Sequence, residues 1–258
     1  MRKSLAIHSY KGGTGKTLIA SNLAIIFAKQ GFNVCLLDYD FRAPSLQVLF
    51  RSNPKRWLNN FLEEDCDIRE TLVDLTAKYD TKGKLFVGFA NPSSEAMREM
   101  MTKDRKWEMG ALHKTLSSKK VMYEDFKVNY LIFDTSPGLH YSSINALASS
   151  DLIALVMKMD EFDVEGTKEL IRGIYDVLGR KTGILLNRVP VELISSKNEE
   201  SHLAKQIEDT FKLPILGIIG CYCDLLLFGS KSIYAQERPD HQFVHILVQV
   251  AKKLERLQ

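Results

Sequence analysis

Lys16 and Thr17 close the run Ser9-Tyr10-Lys11-Gly12-Gly13-Thr14-Gly15-Lys16-Thr17, in which glycines cluster between two lysines. Those residue types in that order suit phosphate. Glycines let successive backbone N–H groups curl around an anion, and a helix beginning at Lys16 adds the positive end of its dipole. A lysine there meets the β- and γ-phosphates, and the hydroxyl beside it ligates Mg²⁺. Gly12, Gly13, Thr14, Gly15, Lys16, Thr17 and Leu18 are therefore candidates to line a nucleotide. Further candidates stand just after apolar runs: Asp38 and Asp40, Asp134, and the pair Asn187-Arg188. Residues at the C-terminal ends of parallel strands sit where α/β proteins bind ligands. A carboxylate there offers the oxygen that Mg²⁺ prefers, and a side-chain amide can read the edge of a purine.

The elements that must position these groups are legible as periodicity. Leu5-Ala6-Ile7 reads as a buried strand before the glycine loop. Leu18, Ile19, Asn22, Leu23, Ile26 and Phe27 fall near helical spacing after it, and Gly31 closes the helix. Further strands are expected at 33–37, 84–90, 130–134, 151–156, 182–188 and 215–219. Helices are expected at 53–79, 93–126, 163–178, 196–211 and 241–258. The alternation predicts an α/β fold: one doubly wound, mostly parallel sheet of seven or so strands with helices on both faces, forming a single domain over 1–258.

The loop departs from the standard G-x-x-x-x-G-K-[ST] pattern, since Tyr10 stands where a glycine is usual and Lys11 adds a second lysine. Asp38 to Ser45 follow D-x-D-x-x-x-P-S, and Asp134 to Gly138 follow D-x-x-P-G. On these three motifs the chain resembles the deviant-Walker P-loop ATPases of the MinD/ParA family. The resemblance implies a Mg²⁺-dependent ATP hydrolase that forms a homodimer around ATP. In it Lys11 reaches the partner's nucleotide, and Lys16 serves its own. Thr17, Asp38 and Asp134 hold Mg²⁺ or its water shell, Asp40 orients the attacking water, and the Gly138 N–H senses the γ-phosphate. Asn187, with Arg188 beside it, meets the adenine; a turn-forming Asn after a strand is the plainer alternative. Gly220 stands where relatives often carry a proline near the base.

Composition narrows the setting. The chain has 258 residues, 45% hydrophobic and 26% charged, with a net charge of +3 that neither demands nor excludes nucleic acid. No run approaches the roughly 20 apolar residues of a membrane span. Four irregularly spaced cysteines argue against a disulfide framework and for the cytoplasm. Lys103, Arg105, Lys106, Lys114, Lys119 and Lys120 form the most basic stretch, a solvated helix face or a nucleic-acid or partner surface. Phe243, Val244, Leu247, Val250, Ala251, Leu254 and Leu257 form a C-terminal apolar stripe, needed by the core or lying on lipid. Cys221-Tyr222-Cys223 offers two thiolates, which across a dimer would complete a metal site. The implied outputs are positioning on DNA or on a membrane, with an activating partner protein. The alternative is a metal-insertion ATPase of the nickel-loading type.

Overall fold

The computed structural model describes residues 2–229 and 231–257. β1 (Lys3–His8) lies inside an eight-stranded sheet, between β5 (Tyr130–Thr135) and β6 (Leu152–Met157). One side continues from β5 through β2 (Val34–Tyr39), β4 (Leu85–Gly88) and β3 (Leu72–Asp74). The other continues from β6 through β7 (Lys181–Val189) to β8 (Ile215–Gly220). All pairings are parallel except β3 with β4. β2, β5 and β6 are buried at every residue. Such continuous apolar runs are what a parallel sheet covered on both faces requires.

The expected strands are present, and the eighth, β3, comes from a stretch whose spacing had suggested helix. Over 53–79 the chain forms α3 (Leu58–Leu62), α4 (Ile68–Thr71), β3 and α5 (Thr76–Tyr79), following α1 (Lys16–Lys29) and α2 (Leu46–Phe50). Asp67 starts α4 afresh by accepting the Arg69 N–H, and Leu72-Val73 then pair with Gly88 and Val87 at the sheet edge. The helix-like spacing arose because successive short elements turn their apolar residues to one core. The segment 93–126 likewise divides into α6 (Ser94–Met101) and α7 (Arg105–Glu124), because Asp104 caps the second helix through the Trp107 N–H. After α8 (Tyr141–Ala148), α9 (Glu161–Leu170) runs through a π turn at Ile171–Tyr175 into α10 (Asp176–Leu178). α11 (Lys197–Phe211) follows β7, and the short helices α12 (Cys223–Phe228) and α13 (Tyr234–Glu237) precede α14 (Gln242–Arg256).

α1 is buried almost all round, since α13 and α14 cover the side turned away from the sheet. Its Asn22 joins the layers: Nδ2 donates to the Leu18 carbonyl at 2.7 Å, and Oδ1 accepts the Ala235 N–H at 2.7 Å. The C-terminal stripe is core. Phe243, Val244, Leu247, Val250, Ala251 and Leu254 are all buried in the cluster that contains α1 and the sheet. Lys3 fixes the end of α14, donating to the carbonyls of Leu254, Glu255 and Leu257 at 2.8–3.0 Å. A cation there also complements the helix dipole. Truncating the fully buried Leu247 to Ala should cost about 2–5 kcal/mol of stability, the transfer loss plus a cavity. Urea unfolding checks this. A cost below about 1 kcal/mol would mean that α14 peels away readily.

Candidate active site

β1 ends at His8, and Ser9 to Gly15 turn the chain into α1. Gly15 adopts the left-handed conformation at φ 98°, with Asn187 packed so close that a Cβ would lie 2.4 Å from its amide nitrogen. That contact is a brace. Asn187 Nδ2 donates to the Thr14 carbonyl at 2.7 Å, and Oδ1 accepts the Arg188 N–H at 2.9 Å. One amide hydrogen remains for a purine acceptor. Asn187 is therefore first a tie between β7 and the loop, whatever it offers a base. Arg188 is exposed, at φ 58°. Gly15, Leu18, Asn187, Arg188, Leu225 and Leu226 enclose a small cavity beside the loop. Its α12 wall carried no signal at the sequence level.

Tyr10 also acquires a role. A Cβ on Gly166 of α9 would lie 1.9 Å from Tyr10 Cε1, so the ring seats directly on that glycine. The bulky residue at a position usually given to glycine docks the loop onto α9.

Lys16 is buried, and its ammonium donates to Ser9 Oγ at 3.0 Å. Burial pulls its pKa down, while Asp134, Asp40 and Asp163 push it back up. Asp38 and Asp134 are register neighbours on β2 and β5 and are fully buried. Asp38 accepts the N–H groups of Asp40, Ser45 and Leu46 at 3.2–3.3 Å. Both Asp134 oxygens are buried with no hydrogen-bond partner. Burial drives both carboxyls upward from the ordinary range. The charges of Asp134 and Asp40 add to the shift of Asp38, and for Asp134 the Thr17 hydroxyl and Lys16 oppose the shift while Asp40 adds to it. Ser45 Oγ lies 3.4 Å from Thr17 Oγ1. Unpartnered buried carboxylate oxygens beside a hydroxyl are oxygen donors of the type Mg²⁺ takes. Among the described residues, no three His, Cys, Asp or Glu side chains converge to hold an ion unaided. Mg²⁺ commonly keeps waters and adds phosphate oxygens, so this donor set fits it.

The two motif loops lean on the glycine loop. The Gly138 N–H donates to the Ser9 carbonyl at 2.9 Å, so sensing a γ-phosphate, as the resemblance implies, would require it to change partners. Asp40 is partly exposed and accepts the Ala43 N–H at 3.1 Å. Arg42 Nη1 reaches the His140 ring nitrogens at 2.7 and 2.8 Å, joining the loop after β2 to the loop after β5. Lys11 does not join Lys16. Its ammonium lies 3.1 Å from Asp160, at the start of α9, and over the Phe162 ring. Cys221 is partly buried and Cys223 exposed, both as free thiols.

A glycine loop between the central strand and α1, with acids at the ends of two neighbouring strands, defines the P-loop nucleoside-triphosphatase fold. A family model described as an AAA domain matches residues 2–185. An uncharacterized ATP-binding protein of Methanocaldococcus jannaschii is 28% identical over 222 residues, 85% of this chain and 74% of that protein. MinD of Thermotoga maritima is 24% identical over 240 residues, 90% of this chain and 80% of its own. The solved structure of MinD from Pyrococcus horikoshii, complexed with Mg-ADP, has a TM-score of 0.77 at 19% identity, covering 100% of this chain and 97% of that one. The chain belongs to the MinD/ParA family of deviant-Walker P-loop ATPases.

The raised carboxyls make stability depend on pH. With Asp134 pushed up to about 7, the folded protein holds a proton that an unfolded Asp releases near pH 3.9. Unfolding free energy should therefore fall as pH rises from about 4 through about 7. Asp134→Asn removes this penalty. It should stabilise the nucleotide-free protein by of order 2 kcal/mol near pH 8 and much less near pH 4. Equal shifts in urea unfolding at the two pH values would contradict the buried-charge account.

Proposed function

We propose that this protein is a Mg²⁺-dependent ATP hydrolase that works as an ATP-dimerised switch for spatial positioning or partitioning. The observation that carries the reading is the division between the two lysines. Lys16 is buried in the glycine loop, while Lys11 points out to Asp160 and Phe162. Lys16 serves the phosphates of its own subunit. Lys11 serves those of the neighbour, once two subunits meet across ATP. Mg²⁺, when bound, neutralises charge on the phosphates. Thr17, Asp38 and Asp134 hold it or its waters, the Asp40 carboxylate orients the attacking water, and the freed Gly138 N–H turns to the γ-phosphate. Hydrolysis removes that group, so both loops relax and the dimer parts.

Exposed apolar Phe162 and Leu226 lie beside the loop, with exposed Leu227 and Phe228 next along α12, as a face that closes on a second copy would require. The output is the engagement of a surface or partner in one nucleotide state, in the cytoplasm or peripherally at nucleoid or membrane, with hydrolysis triggered by an activating protein. Lipid binding through the α14 stripe is disfavoured, because that stripe is core. The basic stretch is also partly spent internally. Lys103 pairs with Glu63 and Glu99, Lys114 with Glu64, and Lys119 with Asp151, which leaves Arg105, Lys106 and Lys120 exposed. The comparisons do not favour a nickel-loading role for the Cys221-x-Cys223 pair.

Lys16→Ala should lose nucleotide affinity outright. Lys11→Ala should bind ATP as a monomer yet neither dimerise nor hydrolyse. Asp40→Ala should bind ATP and Mg²⁺, accumulate as dimer, and turn over at least about a hundredfold more slowly. Size-exclusion chromatography with ATP and Mg²⁺, beside phosphate release, reads all three. A Lys11→Ala protein that dimerises and hydrolyses normally would reduce this chain to an ordinary P-loop ATPase.

A further inference from the structure

α12 walls the cavity beside the glycine loop, yet its own packing does not hold it there. It is six residues long, and none of them is buried. A helix so short is unstable alone. What fixes it is one carboxylate. Asp224 Oδ2 accepts hydrogen bonds from the Tyr234 hydroxyl at 3.2 Å and from Arg238 Nη1 at 3.0 Å, and His241 Nε2 lies 3.3 Å away. His241 is turned toward it because its Nδ1 accepts the Phe243 N–H at 3.0 Å as the cap of α14, which leaves the ring proton on Nε2. Burial raises the Asp224 carboxyl, but His241, Tyr234 and Arg238 outweigh it and hold the group below its ordinary range. Rings complete the contact. His241 meets Tyr222 and Tyr234 edge-on, with centroids 5.1 Å apart in each pair, and the Arg238 guanidinium lies over Phe228 and Tyr234. Behind them Tyr234 is fully buried on α13, and the N–H of Ala235 next to it is bonded to Asn22 of α1. The wall is thereby tied to the helix that follows the glycine loop.

We propose that Asp224 is a positioning residue for the base of the nucleotide: it latches α12 as an apolar clamp and so sets how much affinity the base contributes. This rests on the reading of the cavity at Asn187 as the base site. Leu18, Leu225 and Leu226 offer that cavity apolar surface, and the Asn187 amide stands among them. A purine, with two flat apolar faces and a polar edge, matches such a lining. The cavity measures about 30 Å³, room for about one water molecule. A base is several times larger, so α12 must yield to admit it and then close on it. The latch suits that task. The Asp224 and Arg238 side chains are 30% and 51% exposed, so their hydrogen bonds can pass to water while the helix moves and re-form afterwards. None of the latch residues belongs to the glycine loop or to the loops after β2 and β5. The latch therefore acts on the base side and leaves the phosphate cradle alone.

Two variants loosen the latch from opposite sides. Asp224→Ala removes the acceptor, and Tyr234→Phe removes one donor while keeping the buried ring. Calorimetric titration of each purified protein with Mg-ADP and with Mg-pyrophosphate separates the base from the phosphates. Wild type should bind ADP more tightly than pyrophosphate. Asp224→Ala should lose about tenfold in ADP affinity, as the loss of charged hydrogen bonds at a partly exposed site allows, and Tyr234→Phe about threefold. Pyrophosphate affinity should stay at the wild-type value in both, which also shows that the site remains folded. The lost ADP affinity should appear as faster dissociation, read by stopped flow. If Asp224→Ala binds ADP as well as wild type or better, or loses pyrophosphate in equal measure, Asp224 does not clamp the base and the proposal is wrong. If wild type itself binds ADP no more tightly than pyrophosphate, the cavity at Asn187 is not a base site, and the reading beneath the proposal is what fails.

Discussion

Charge buried without enough counter-charge is the constraint on which this molecule is built. Lys16 opens α1 after the glycine loop, and Asp38 and Asp134 lie at the ends of β2 and β5 in a sheet covered on both faces. Burial alone pulls the lysine down and pushes both carboxyls up, so each group destabilises the empty fold. A fold optimised for its own stability would place apolar residues there. What these positions gain instead is preorganisation: donors and acceptors are fixed for a polyanion and a hard cation before either arrives, in a site where fixed charges act strongly. The cost is met elsewhere, by α1 sealed between the sheet and α14.

The sites were legible in the sequence where the signal was local. A glycine loop after an apolar strand, and acids one residue past two others, are read along the chain. Their convergence follows from parallel topology, which brings strand ends to one edge. What escaped depended on neighbours distant in sequence. Tyr10 registered only as a departure from a pattern, because its seat, Gly166, lies on another helix. Asp160 carried no signal in the sequence, because nothing local links it to Lys11. β3 was hidden because its pairing with β4 outweighs the helix-like spacing of the apolar residues around it. The C-terminal stripe left core and lipid both open, since an amphipathic helix carries the same pattern against either; the packing of α14 over α1 and β8 decides for the core.

Asn187 illustrates how one residue serves fold and chemistry together. Its buried amide ties the loop to β7, so the loop's shape is set from both sides: by this brace at Thr14 and by the Tyr10 ring on α9. Neither tie touches the backbone N–H groups that a phosphate would use. The cradle is thereby stiffened while its donors are left available, and a ligand does not have to order the loop on arrival.

The resting contacts share a pattern of the kind that a nucleotide switch would need. The Gly138 N–H is held by the Ser9 carbonyl, Lys16 by the Ser9 hydroxyl, and Thr17 faces Ser45. Every one of these partners is a neutral oxygen in the same small region, and each bond is of the kind that a phosphate oxygen or a magnesium ion replaces with a stronger one. Exchange of one hydrogen bond for another of the same kind costs little net free energy. Two arrangements of similar energy are what a ligand needs in order to shift a population. Arg42 and His140 join the loop after β2, which carries Asp40, to the loop after β5, which carries Gly138. The two loops are therefore tied to each other on the face that carries the glycine loop.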